Sequence, residues 1–414
     1  MQHAWVALPR TRRSIAFFGV LACVGAAAYA RPASLLAAAP GTSPNTSSSV
    51  AHAIPSSTAR DATRNRKATD PPPEEIAPRL ILLGTRPSLG GHVVPGERRH
   101  RGDWEPPNTV VFAYASAWPN TLRTMVRATS AESEVVVLVT ADDHERALRW
   151  YERSRFDAKR VKLVETSIES PWVRDYGPLQ VYNENGRLEL LDADYAPDRP
   201  GDDEIPLVLA SQLRLPLRRL PFGIDGGALI SNGRGLCLMT LDSYYESGAP
   251  ELPGPERDEL MNQLGCQILA LVPALEGEPT GHIDMVAQFL GPDVIAVAEV
   301  DARRWRSHYL RLAQVVEGVK LAAEAIGMTV RVERVPMPVL SKSRFRTYLN
   351  GLPLAHTYLV PRYRDVPRAE QDAALRALAL AMPRVKLKPI DADRMISLDG
   401  AVHCLSLGMS IDPR

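Results

Sequence analysis

The run Val135-Val136-Val137-Leu138-Val139 is followed by a stretch with helical periodicity at residues 142–156, and then by a second apolar run, Val161-Lys162-Leu163-Val164. Short β-branched runs read as strands, and the longer periodic stretch between them reads as a helix. The alternation extends in both directions. Val110-Val111-Phe112-Ala113-Tyr114 precedes it, while Gly235-Leu236-Cys237-Leu238-Met239, Val294-Ile295-Ala296-Val297 and Thr357-Tyr358-Leu359-Val360 follow. Further helical stretches fall at residues 255–264, 303–326 and 368–382. Strands and helices mixed throughout place the chain in the α/β class. The folded region is expected to run from about residue 80 to the end, 80–414. That is large for one core, since single cores usually stop growing near ~250–300 residues. Small units repeated round a centre relieve the tension.

The composition of the 414 residues is that of an ordinary globular protein, 45% hydrophobic and 23% charged, with a formal net charge of +1. No basic stripe is left over to neutralise phosphates, so nucleic acid is not expected as a partner. No Gly-x-Gly-x-x-Gly turn and no phosphate loop occurs, which weakens any nucleotide reading. Four cysteines, Cys23, Cys237, Cys266 and Cys404, are too few and too scattered for a disulfide scaffold. Whether Cys237 and Cys266 pair is open at this stage.

At the N-terminus, Arg10, Arg12 and Arg13 precede an apolar run that ends in Ala28-Tyr29-Ala30. A basic segment, a short apolar stretch and a small-x-small site read as an export signal over residues 1–30. Thr11-Arg12-Arg13-Ser14-Ile15-Ala16-Phe17 loosely matches a twin-arginine signal. The run is short for a membrane span of ~20 residues, so no stable membrane association is expected once the signal is removed. Residues 31–79 are rich in Ala, Ser, Thr and Pro, without helical or strand periodicity, and read as a disordered spacer.

Chemistry concentrates in separated segments. Cys404 follows a tight Asp-Gly turn in Asp399-Gly400-Ala401-Val402-His403-Cys404-Leu405. Taken alone it reads as a buried small hydrophobe. His403 is adjacent, but strand neighbours face opposite ways, so it is not expected to serve as the base. In Gly281-His282-Ile283-Asp284, an extended strand would turn His282 and Asp284 to one face. Asp175 lies in Trp172-Val173-Arg174-Asp175-Tyr176-Gly177-Pro178, where the plain alternative is a turn residue with Arg174 paired at the surface. Asp225-Gly226-Gly227 alone signals only a loop, and residues 345–351 alone read as a strand ending in an Asn-Gly turn. One thiol, one imidazole and two carboxylates together suit a planar cation that is electrophilic at carbon. A guanidinium group fits: the carboxylates accept its paired N–H donors and a thiolate attacks its central carbon.

Together these segments resemble the agmatine deiminase and bacterial peptidylarginine deiminase group of guanidine-modifying enzymes. The resemblance rests on Trp172–Pro178, Asp225–Gly227, Gly281–Asp284, Arg346–Asn350 and Gly400–Cys404, in the expected order, and runs from Trp104-Glu105-Pro106 to Cys404. It implies the pentein fold, a five-bladed α/β propeller with pseudo-fivefold symmetry and a central site. By position, Cys404 is the implied nucleophile and His282 the implied general acid and base, with Asp175 and Asp284 holding the guanidinium. Trp172, Arg174, Asp225, Gly226, Gly227 and Asn350 are implied to bind substrate. No metal or other cofactor is implied. The implied partner is a small guanidinium compound or an arginine-containing peptide, and oligomeric state is open.

The chain departs from the agmatine branch at Asp194-Tyr195-Ala196-Pro197-Asp198-Arg199-Pro200-Gly201-Asp202-Asp203 and at Leu405-Ser406-Leu407-Gly408-Met409. There the branch has Trp-Gly-Gly and a glutamine-containing tail, and Asp225 stands in place of its glutamate. The first segment looks more like the secreted peptidylarginine side. Arg199 is read either as a clamp for a substrate carboxylate or as a partner of Asp202 or Asp203. An amidinotransferase, and a silent pentein that only binds a cation, stand as alternatives. A cysteine protease fits worst, because it leaves two carboxylates without a task.

Overall fold

The computed structural model describes residues 80–84, 97–249, 254–341 and 344–411. The expected export signal at 1–30 lies outside the described residues, as does the expected spacer at 31–79.

The opening strand–helix–strand reading holds, as Glu134–Val139, His144–Ser154 and Val161–Glu165. The first strand is buried from Val135 to Val139, because a sheet covered on both faces favours unbroken aliphatic runs. The helix buries Ala147, Trp150 and Ser154, spaced three and four apart, and turns its charged residues to solvent. The longest helix, Arg306–Ala325, follows the same rule with Leu312, Val315, Val319, Ala322 and Ala323 inward.

Among the described residues, five sheets repeat one plan. An antiparallel pair is followed, across a helical connection, by a parallel strand. Leu179–Tyr182 pairs antiparallel with Leu188–Asp192, which pairs parallel with Leu217–Arg219. The same order joins Leu229–Ser231, Leu236–Thr240 and Ile268–Val272. It recurs in Ala287–Gly291, Val294–Glu299 and Arg331–Pro336, and in Leu352–Pro353, Thr357–Arg362 and Lys386–Asp391. In the fifth sheet the antiparallel opening strand is Leu407–Met409, from the C-terminal end of the chain. It pairs with Thr109–Ala113, which runs parallel to Glu134–Val139, itself parallel to Val161–Glu165. The chain thus begins and ends its repeats in one sheet.

This plan positions the site. Asp175 precedes the strand that opens at Leu179, and Asp225-Gly226-Gly227 precedes Leu229. His282 and Asp284 precede Ala287, Asn350 precedes Leu352, and Cys404 precedes Leu407. Each of the five sheets contributes one site segment from the equivalent turn before its opening strand.

Two local expectations are corrected. Residues 283–285 form a 3₁₀ turn rather than a strand, and only His282 keeps extended angles, φ −72° and ψ 140°. Residues 402–405 form a turn, so Cys404 does not sit on a strand either. Cys237 and Cys266, left open above, form a disulfide inside one sheet unit.

Candidate active site

The four groups expected to act together do converge, and the centre of the cluster is a glycine. A Cβ placed on Gly227 would lie 2.7 Å from Asp175 Oδ1, 2.7 Å from His282 Nδ1 and 3.1 Å from Asp284 Oδ2. The Gly227 backbone N–H donates to Asp175 Oδ1 at 3.2 Å, and its carbonyl accepts from the Asp284 N–H at 3.3 Å. Gly226 passes against Arg174, donating its N–H to the Asp175 carbonyl at 3.0 Å. Only a residue without a side chain leaves space here for three polar groups.

Cys404 is free and buried. Its sulfur lies 3.8 Å from Asp284 Oδ2 and accepts a hydrogen bond from Asn350 Nδ2 at 3.1 Å. Asn350 Oδ1 accepts in turn from the N–H groups of His403 and Cys404, at 3.0 and 3.3 Å. Asn350 therefore cradles the cysteine turn by both ends of its amide. Arg174 ties the same turn down: its backbone N–H donates to the Cys404 carbonyl at 3.1 Å, and its Nε donates to the Ser406 carbonyl at 3.1 Å. Trp172 packs its ring on Gly400, 6.3 Å between centroids from Trp118.

His282 is 8% exposed and sits between carboxylates, with Nε2 3.3 Å from Asp225 Oδ2 and Nδ1 3.6 Å from Asp175 Oδ1. The loop that holds it is built locally. Gly281 takes φ +65°, which favours glycine, and its N–H donates to Glu278 Oε2 at 2.7 Å. The Gly281 carbonyl accepts from Thr240 Oγ1 at 2.6 Å and from Ser243 Oγ at 3.2 Å.

Electrostatics set the resting protonation. Burial would lower the His282 pKa, but Asp175, Asp225 and Asp284 outweigh it and push it up to about 10. Burial, with Asp225 and Asp284 nearby, pushes Asp175 up to about 7, against the pull of His282 and Arg174. Burial and then Asp284 and Asp175 push the Cys404 thiol well above the ordinary range. These directions give the free protein a protonated thiol and an imidazolium at neutral pH. At pH 7, iodoacetamide is expected to alkylate Cys404 at least about tenfold more slowly than an exposed thiol, because each unit of pKa is a factor of ten in thiolate. The rate should keep climbing past pH 9, and a plateau below pH 8 would contradict this picture.

The Arg199 side chain pairs with neither Asp202 nor Asp203, although its carbonyl accepts from the Asp203 N–H at 3.2 Å. Its Nη1 donates to the Tyr195 hydroxyl at 3.4 Å, while Asp202 Oδ1 accepts from Glu169 N and Asp203 Oδ1 from Tyr195 N. A cavity of about 280 Å³ reaches the site at His282 and Asp225, with Asp194, Tyr195, Ser243 and Glu246 also in its wall. His403, not expected as the base, nevertheless lies inside the site: Nδ1 is 2.7 Å from Asp284 Oδ2. Its signal in the sequence was adjacency to Cys404, and the alternation rule does not apply in a turn.

Comparison with known proteins agrees with this geometry. An agmatine deiminase of Pseudomonas fluorescens is 22% identical over 319 residues, 68% of this chain and 84% of the relative. The crystal structure of the Enterococcus faecalis agmatine deiminase matches with TM-score 0.65 at 19% identity, covering 75% of this chain and 95% of that one. The C. jejuni agmatine deiminase matches with TM-score 0.61 at 21% identity, covering 77% and 97%. These likenesses show the fold to be the pentein one. With residues 101–409 matching the Porphyromonas-type peptidyl-arginine deiminase profile, the chain belongs to that family and is, by membership, a hydrolase of carbon–nitrogen bonds.

Proposed function

We propose that the protein is an exported deiminase that hydrolyses a terminal guanidinium group to a ureido group and ammonia through Cys404. The observation that carries this reading is the convergence of Asp175, His282 and Asp284 on Gly227, with the Cys404 sulfur on the Asp284 carboxylate. A guanidinium carbon held by the two aspartates would lie beside the sulfur. The bound cation offsets the two carboxylates, which lowers the thiol pKa, and the thiol proton leaves to solvent. The thiolate then bonds to the guanidinium carbon, and His282 gives its proton to one amino group, which leaves as ammonia. The C–N bond breaks and an S-alkylthiouronium remains on Cys404. Neutral His282 next takes a proton from water as the oxygen bonds to the same carbon. The C–S bond breaks, and the ureido product and free cysteine result.

The cavity beside His282 would receive the far end of the substrate. Asp194, Asp225 and Glu246 line it, and Asp194 is offset by Arg219 at 2.7 Å. A net acidic wall favours a cationic tail such as the amine of agmatine over the carboxylate of free arginine. Arg199 supports the second reading, an arginine-ended peptide, because it holds the hydroxyl of the cavity residue Tyr195. Export is supported by the N-terminal sequence and by the Cys237–Cys266 disulfide, a bond that persists in oxidising compartments.

The test is to incubate the protein with agmatine, arginine and an arginine-ended peptide, and to quantify ammonia and ureido product. Agmatine is expected to exceed arginine in kcat/KM by at least about tenfold, the effect of one modest charge pair of about 1.4 kcal/mol. Arg199→Ala should leave agmatine turnover within about twofold. A selective loss on the peptide would shift the substrate to the second reading. Absence of ureido product from all three would defeat the deiminase reading.

A further inference from the structure

We propose that His403 is a positioning residue for Asp284: it holds one carboxylate oxygen so that the other stays free for the substrate's N–H donors. The inference rests on the deiminase reading and adds a residue to it. His403 Nδ1 lies 2.7 Å from Asp284 Oδ2, and the two side chains are 2% and 1% exposed. Asp284 Oδ1 is buried and accepts no hydrogen bond among the described residues. A buried carboxylate oxygen without a donor is costly, and a guanidinium would satisfy it.

The chemistry of the pair fixes the proton. An ionised carboxylate only accepts, so Nδ1 must be the donor. Burial, and then the neighbouring Arg174, lower the pKa of the His403 ring, so it stays neutral. Neutrality matters here. A lysine or arginine at this place would orient Asp284 equally well but would offset the charge that attracts the substrate cation. A neutral imidazole orients the carboxylate and leaves its charge available. The ring itself is anchored through its backbone: the His403 N–H donates to Asn350 Oδ1 at 3.0 Å, and its carbonyl accepts from Ser406 Oγ at 3.1 Å. Asp284 Oδ2 also faces the Cys404 sulfur at 3.8 Å, so the carboxylate that His403 holds adjoins the nucleophile as well as the cation.

Two variants and one spectrum test this. His403→Ala removes the donor, whereas His403→Asn places an amide N–H near the position of Nδ1–H. With agmatine as substrate, His403→Ala is expected to raise KM by about 10–100-fold, the range for losing a hydrogen bond to a buried charge, with a smaller fall in kcat. Agmatine binding measured by calorimetry in a Cys404→Ala background should weaken by the same factor. His403→Asn should recover most of both. If both variants lose thermal stability and kcat alike while KM holds, the residue is merely structural and the proposal fails. The spectrum does not depend on activity. Nitrogen-15 NMR of the His403 ring should show a neutral Nδ1–H tautomer from pH 6 to 8, roughly the span over which an ordinary imidazole titrates. An Nε2–H tautomer, or a ring that titrates near the ordinary value, overturns the proposal even if agmatine proves not to be turned over. A wild-type protein that neither turns over nor binds agmatine refutes agmatine as the substrate instead, and the tautomer alone then decides the role of His403.

Discussion

Cys404→Ala is expected to remove deimination, lowering kcat by about 10⁴-fold or more, while agmatine still binds. The size follows from the role: losing a covalent nucleophile removes the route, and what remains is the rate supplied by binding and charge alone. Binding should survive because the cation is held by Asp175 and Asp284, and Cys404 contributes only a weak sulfur contact of 3.8 Å to that pair. Stability should change little, by about 1 kcal/mol, since a thiol replaced by a methyl group leaves a small void. Wild-type protein quenched during turnover should carry an adduct on Cys404 with the mass of the substrate less ammonia. The sign of the pH dependence follows from the same geometry. In the free protein burial, and then Asp284 and Asp175, hold the thiol well above its ordinary value, while Asp175, Asp225 and Asp284 outweigh burial and hold His282 at about 10. A bound cation opposes those carboxylates and brings both values down. Activity should therefore be substantial at pH 7–8 (roughly the range where an unperturbed thiol begins to ionise) although the free thiol is inert there. Turnover surviving in Cys404→Ala at about a tenth of the wild-type rate would mean that His282 activates water directly, and the covalent route would be abandoned.

Much of the fold was legible because it is written in buried aliphatic runs. Val135–Val139 and Thr357–Val360 are interior strands, and their type follows from β-branched residues without reference to their neighbours. The opening strands were not legible. Leu229–Ser231, Leu352–Pro353 and Leu407–Met409 span three, two and three residues, too short for a period to emerge. They matter most, because the turns before such strands carry the site. Asp175, His282, Asp284 and Cys404 were legible as residue types able to perform one chemistry, and the motifs placed them in order. Their local geometry was not. The period of two holds only on a strand, and at residues 282–284 and 402–405 the backbone turns, so the sides it assigns to Asp284 and His403 do not follow. Asn350 holds the cysteine turn by both ends of its amide, a role that its place in an Asn-Gly pair does not reveal. Arg174 serves that turn too, through Ser406, a partner 232 residues away in sequence that no local pattern reveals.

Gly227→Ala should disable the site more than it destabilises the fold. The new methyl would start 2.7 Å from both Asp175 Oδ1 and His282 Nδ1, inside any tolerable contact, and 3.1 Å from Asp284 Oδ2. The backbone has little freedom to retreat, because the Gly227 N–H and carbonyl both bond to the segments that carry these groups. Asp175 and His282 must instead move outward by several tenths of an ångström to about 1 Å. A misplacement of that size costs about 10²-fold in a reaction that depends on alignment, and here it strikes the cation clamp and the proton carrier together. The overpacking cost to stability is about 1–3 kcal/mol. The expected result is thus a folded protein with kcat/KM down by at least about 10²-fold and a thermal midpoint lowered by a few degrees. Its Cys404 should remain intact and free, since no atom of the cysteine lies among the three nearest to the methyl. A Gly227→Ala protein with near wild-type kcat/KM would show that Asp175 and His282 do not work from these positions. The reading of a guanidinium held over Gly227 would then have to be given up, even with Cys404 essential.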